Sequence, residues 1–63
     1  MSIIRALVVV PGRVDAARII AVLQRDRDIQ VVGHASDGAN ALALVASTGP
    51  DIVVLDLTVG PGR

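Results

Sequence analysis

The chain has 63 residues, with no cysteine and no aromatic residue, and its 6 basic and 6 acidic side chains cancel to zero net charge. That composition excludes a disulfide framework, a zinc-finger ligand set, an electrostatic footprint for nucleic acid or an anionic membrane, and aromatic platforms for stacking single-stranded bases. Apolar residues make up 52% of the chain, yet no run approaches the ~20 residues of a membrane span. No basic region followed by a long apolar core marks a signal peptide. The expectation is one small cytoplasmic domain over residues 1–63, with neither nucleic acid nor membrane as partner. Chains of this length bury only about 60% of their unfolded surface and are marginal without a staple.

Ile3 to Val10 is an apolar, β-branched run, which predicts a central strand. Pro11-Gly12 ends it. From Asp15 to about Asp26 the period becomes helical, with Ile19, Ile20, Val22 and Leu23 as the core-facing set. Arg25-Asp26-Arg27-Asp28 reads as a charged turn. Ile29 to His34 alternates as an edge strand does. Ser36-Asp37-Gly38 gives an N-cap signal for a second helix, roughly Gly38 to Ser47. Its core candidates are Ala41, Leu42 and Val45, and the absence of charge predicts burial on more than one side. Gly49-Pro50 stops it. Asp51 to Leu57 follows, an apolar strand of the kind buried on both faces, with Asp56 near its carboxyl end. In open parallel sheets, ligands and chemistry gather at that end. The order β-α-β-α-β, with loops of a few residues, predicts a parallel sheet with right-handed crossovers. In strand order 2-1-3 the two helices must lie on opposite faces.

The segments Ile4 to Val9, Asp28 to Gly38, Ala41-Leu42 and Pro50 to Leu57 together resemble a receiver domain of bacterial response regulators. They look most like the type that precedes a LuxR/NarL-like DNA-binding domain. The resemblance implies an α/β, flavodoxin-like half: a three-stranded parallel sheet of order 2-1-3 with one helix on each face. It also implies that the chain is a truncated, N-terminal half of the domain, lacking the hydroxyl residue and the lysine that follow the later strands. Asp56 falls at the phosphoacceptor position. The acidic pair that holds magnesium in the family should fall at Val10 and Pro11, and neither carries a carboxylate. Past the strand, the family's Met-Pro-Gly is replaced by Val59-Gly60-Pro61-Gly62.

These departures bear on chemistry. Phosphoryl transfer to a carboxylate builds negative charge that a divalent cation normally neutralises, held by carboxylates and phosphate oxygens. A lone Asp is a poor magnesium site. No cofactor, no metal and no catalytic residue is therefore expected, and no enzyme, because no base, nucleophile and cofactor constellation is present. His34 has no Cys, His or Glu at ligand spacing and reads as a surface residue. Gly12 opens the turn into the first helix without a dinucleotide or P-loop fingerprint, and reads as loop closure. Pro-Gly-Arg occurs at residues 11–13 and again at 61–63. Arg13 is a candidate charge partner for Asp56 in place of a metal, with chance recurrence of the tripeptide as the alternative.

Two functional readings stand. In one, the chain is a phosphorylation-incompetent, self-associating interaction module of two-component signalling, with Ile52, Val53, Val54 and Leu55 as the homodimer interface. In the other, Asp56 is a phosphoacceptor in a phosphorelay, completed by a second chain. A histidine kinase or another receiver-like chain is a possible partner in either.

Overall fold

The computed structural model describes residues 2–56. Three parallel strands, β1 (Ile4–Val9), β2 (Ile29–Ala35) and β3 (Ile52–Leu55), form one sheet of order β2-β1-β3. The helices α1 (Arg13–Leu23) and α2 (Gly38–Thr48) are the crossovers between them. This is the expected flavodoxin-like half. Leu57 and the loop containing Val59 to Gly62, with the second Pro-Gly-Arg, lie outside the described residues.

The sheet is built around β1. Its side chains alternate between two cores. Leu7 and Val9, with Ala35, face the α2 side and receive Ala41 and Leu44. Val8 and the adjoining Val10, with Ala16, face the α1 side and receive Ile19, Ile20, Leu23, Val31 and Val54. The helices therefore lie on opposite faces, as the 2-1-3 order demands. Ala6, Leu7, Val8 and Val10 are each 0% exposed.

Local chemistry sets the element ends. Gly12 is the N-cap of α1 in extended conformation and contributes no side-chain cap, so the helix begins at Arg13 rather than Asp15. It stops at Leu23, short of the expected Asp26. The turn over residues 24–28 uses its donors locally: Asp28 N–H donates to Asp26 Oδ1 (2.9 Å) and Ile29 N–H to the Asp26 carbonyl (3.1 Å). Such Asx bonding competes with helix propagation. Asp37 caps α2 by accepting from Asn40 N–H at 2.8 Å. Gly49 closes it in the left-handed region at φ 57°, donating to the Val45 carbonyl at 3.0 Å. The chain then enters β3 under a clasp from β1. Arg5 N–H donates to Asp51 Oδ2 (2.9 Å), Asp51 N–H returns to the Arg5 carbonyl (2.8 Å), and Arg5 Nη1 reaches the Gly49 carbonyl (3.2 Å). These bonds fix the register that pairs Ala6 with Ile52 and Val9 with Leu55.

Three expectations about packing need correction. In α1, Val22 is 63% exposed, and the inward stripe is Ala16, Ile19, Ile20 and Leu23. In α2, Leu42 (75% exposed) and Val45 face outward, while Ala41 and Leu44 meet the sheet. The inward pair is spaced i, i+3, and α2 has no buried residue. With no charged side chain to mark its wet face, its sequence could not fix the phase of the stripe. The third correction is β3. It is not buried on both faces: only Val54 is half-buried, while Ile52, Val53 and Leu55 are exposed. An apolar run identifies a strand but not its position in the sheet, and at the edge neither helix lies over it.

The β1–β2 ladder shifts register between Ala6 and Leu7, which pair with Val31 and Gly33 and leave Val32 unpaired. The shift brings Gly33 beneath α2. A Cβ there would stand 3.2 Å from Leu7 Cδ1 and 3.5 Å from Leu44 Cδ1. We expect Gly33→Val to destabilise the fold by about 1–3 kcal/mol through overpacking, and Leu7→Ala by about 2–5 kcal/mol through cavity formation. Each is read as a fall in thermal midpoint. Since a small domain holds only about 5 kcal/mol, the Leu7 variant is expected to be largely unfolded at 37 °C.

Candidate functional site

Among the described residues, those that the sequence singles out for chemistry lie at the carboxyl end of the sheet. Val10 follows β1, Pro11 and Gly12 form the turn into α1, Arg13 opens that helix, His34 lies near the end of β2, and Asp56 follows β3. Because β1 and β3 are parallel neighbours in register, Val10 and Asp56 sit at adjacent strand ends. Asp56 is half-buried, and its N–H donates to the Val9 carbonyl at 3.3 Å. Arg13 and Pro11 are exposed.

A magnesium ion of the receiver type does not fit these residues. Val10, at the first position expected to carry an acid, is fully buried in the α1-side core. Its side chain supplies packing. Its backbone is hydrogen-bonded within the sheet end: Val10 N–H donates to the Ala35 carbonyl (3.0 Å), and its carbonyl accepts from His34 Nε2 (3.0 Å). Pro11 has no ligating side chain and no N–H. Hard divalent cations take oxygen ligands, chiefly carboxylates, and among the described residues no three of His, Cys, Asp or Glu cluster.

His34 is the residue whose role the sequence does not reveal. It is exposed, as expected of a surface histidine, but its ring spans from β2 to β1 and occupies the Val10 carbonyl. That bond requires the proton on Nε2, because a carbonyl only accepts. Alternation along β2 hints at an exposed side chain, but nothing in the sequence pairs His34 with a backbone carbonyl on another strand.

No family model matches the chain, and no solved structure matches it. Curated relatives do. The chain is 41% identical over 58 residues to protein-glutamate methylesterase/protein-glutamine glutaminase 3 of Anaeromyxobacter dehalogenans, covering 92% of this chain and 17% of that protein. It is 42% identical over 57 residues to protein-glutamate methylesterase/protein-glutamine glutaminase 1 of Caulobacter vibrioides, covering 90% of this chain and 17% of that protein. It is also 32% identical over 56 residues to the transcriptional regulatory protein LiaR of Bacillus subtilis, covering 89% and 26%. The chain thus spans about a sixth of the length of the methylesterases and a quarter of the regulator. Proteins with such different names match over nearly the same stretch. Together with the 2-1-3 half fold, this supports a receiver-type segment, without singling out the LuxR/NarL type.

If the site cannot take magnesium, the thermal midpoint of the chain stays unchanged on adding millimolar magnesium, since a ligand that binds the native state raises it. Calorimetry with and without the ion checks this. A saturable rise that disappears in Asp56→Ala would show that a cation site exists.

Proposed function

We propose that this receiver-like chain is a protein-interaction module of two-component signalling whose own phosphotransfer chemistry is lost. The observation that carries the reading is the replacement at the end of β1. Val10 is wholly buried, and its carbonyl is held by His34. Nothing there can neutralise the charge that builds as a phosphoryl group reaches a carboxylate. Arg13, at the start of α1, carries a positive charge at the same end of the sheet, but a side-chain charge does not replace a cation held between carboxylates and phosphate oxygens.

The chain is not an enzyme on this reading. The methylesterase and glutaminase activities named for its relatives belong to proteins of which it spans only a small part. Its work is to bind other proteins in the cytoplasm: a second copy of itself, a histidine kinase, or another receiver-like chain. The exposed apolar strand β3 supplies a surface for that work.

A second reading keeps Asp56 as a phosphoacceptor, completed by another chain that brings the missing cation ligands. The position of Asp56 at the carboxyl end of the sheet favours it.

Incubation with a small phosphodonor and magnesium decides for the chain alone. We expect no label at Asp56 by mass spectrometry. Magnesium-dependent labelling that is abolished in Asp56→Asn would overturn the main reading. Labelling that appears only when a histidine kinase or receiver-like chain is added would establish the second.

A further inference from the structure

We propose that two copies of this chain join through β3, antiparallel about a two-fold axis through Val54, so that Val53 of each copy faces Leu55 of the other. The proposal rests on the interaction-module reading and names the partner and the register.

Among the described residues, nothing pairs with the outer edge of β3. Edge strands are ordinarily blunted by charge, proline or a bulge, and Ile52-Val53-Val54-Leu55 has none of these. Ile52 is 42%, Val53 43% and Leu55 60% exposed. Backbone direction along β3 alternates. Asp56 N–H points to Val9 on β1, so the groups of Val54 also point to β1, while those of Val53 and Leu55 point outward.

These outward groups are self-complementary. A two-fold axis normal to the sheet keeps every side chain on its own face, and directly opposed residues of an antiparallel pair share a face. Opposed residue numbers must then be both odd or both even, so the axis passes through a residue and its own copy. Centred on the strand, the choice is Val53 or Val54.

With Val54 on the axis, Val53 and the partner's Leu55 exchange both backbone hydrogen bonds, and the symmetric pair does the same. All the outward groups of Val53 and Leu55 are satisfied. With Val53 on the axis, Leu55 faces the partner's Asp51, whose N–H already donates to the Arg5 carbonyl. The Leu55 carbonyl is then left without a donor.

Side chains agree with the backbone. Val53 and Leu55 pair with Leu7 and Val9 and so share the α2-side face. The Val54 axis sets Val53 against the partner's Leu55 on that face, covering the most exposed side chain of the strand. The Val53 axis instead sets Leu55 against a carboxylate. In neither register does Asp51 meet the partner's Asp56.

The chain has no cysteine, which permits a direct test. Light scattering on the 63-residue chain at micromolar concentration should give twice the chain mass. Val54→Cys should oxidise to a covalent dimer, because opposed residues lie within the Cα range of a disulfide. Val53→Cys alone should not, because its own copy is diagonal, at about 7 Å or more. An equimolar mixture of Val53→Cys and Leu55→Cys, both at exposed positions that tolerate the change, should cross-link as a heterodimer. A folded monomer by scattering overturns both the proposal and self-association. A dimer in which Val53→Cys cross-links to itself, or in which none of these pairs forms, overturns the register alone and leaves the interaction-module reading standing.

Discussion

Leu7, Val8 and Val10 lose all contact with water because β1 lies between two strands and between two helices. Each other element meets its core through β1 or beside it. The alternation of β1 side chains divides the molecule into two small cores, one per face, and neither has more than three wholly or nearly buried members. At roughly 1.5–3 kcal/mol for each fully buried aliphatic side chain, this strand supplies the greater share of what opposes chain entropy. Its amino end holds β3 in place through the Arg5–Asp51 clasp. Its carboxyl end determines what chemistry the sheet can support.

The functional argument turns on that carboxyl end. Val10 makes the β1 terminus a packing element and leaves no acid there, and its carbonyl accepts a hydrogen bond from His34. A position that binds a hard cation must present oxygen to the ion. Here the same position is turned into the α1-side core, which gains stability while the ligand is lost. Asp56 keeps its place in the topology, so a carboxylate alone at this strand end is no index of phosphotransfer.

Topology was legible in the sequence because it depends on coarse signals. Two β-branched runs, one alternating run, two helical periods and Gly-Pro breaks give the β-α-β-α-β sequence of a parallel sheet with right-handed crossovers, whereas the 2-1-3 order was implied by the resemblance to a receiver domain. The phase of α2 was not legible: a helix of Gly, Ala, Asn, Leu, Val, Ser and Thr has no charged side to orient it, and Leu44 rather than Leu42 turned inward. Burial of β3 was misjudged for a related reason. Apolar content measures the tendency of a strand to be covered, whereas Ile52, Val53 and Leu55 report what the described residues actually supply. At the site, the strand-end positions of Val10 and Asp56 followed from topology, but the reach of His34 to a neighbouring carbonyl depends on a rotamer that no pattern encodes.

β2 and β3 never touch each other. Among the described residues each is hydrogen-bonded to β1 as its one neighbouring strand, yet β2 has α1 and α2 packed beside it, and β3 has neither helix over it. The two flanks therefore open by different routes. Detaching β3 uncovers Val54 and one side of β1 and breaks one four-residue ladder together with the Arg5 clasp, whereas detaching β2 dismantles both cores at once. Local opening of this kind proceeds without global unfolding. Amide hydrogens of β3 should thus exchange with solvent well ahead of those in β1 and β2 whenever its outer edge is uncovered.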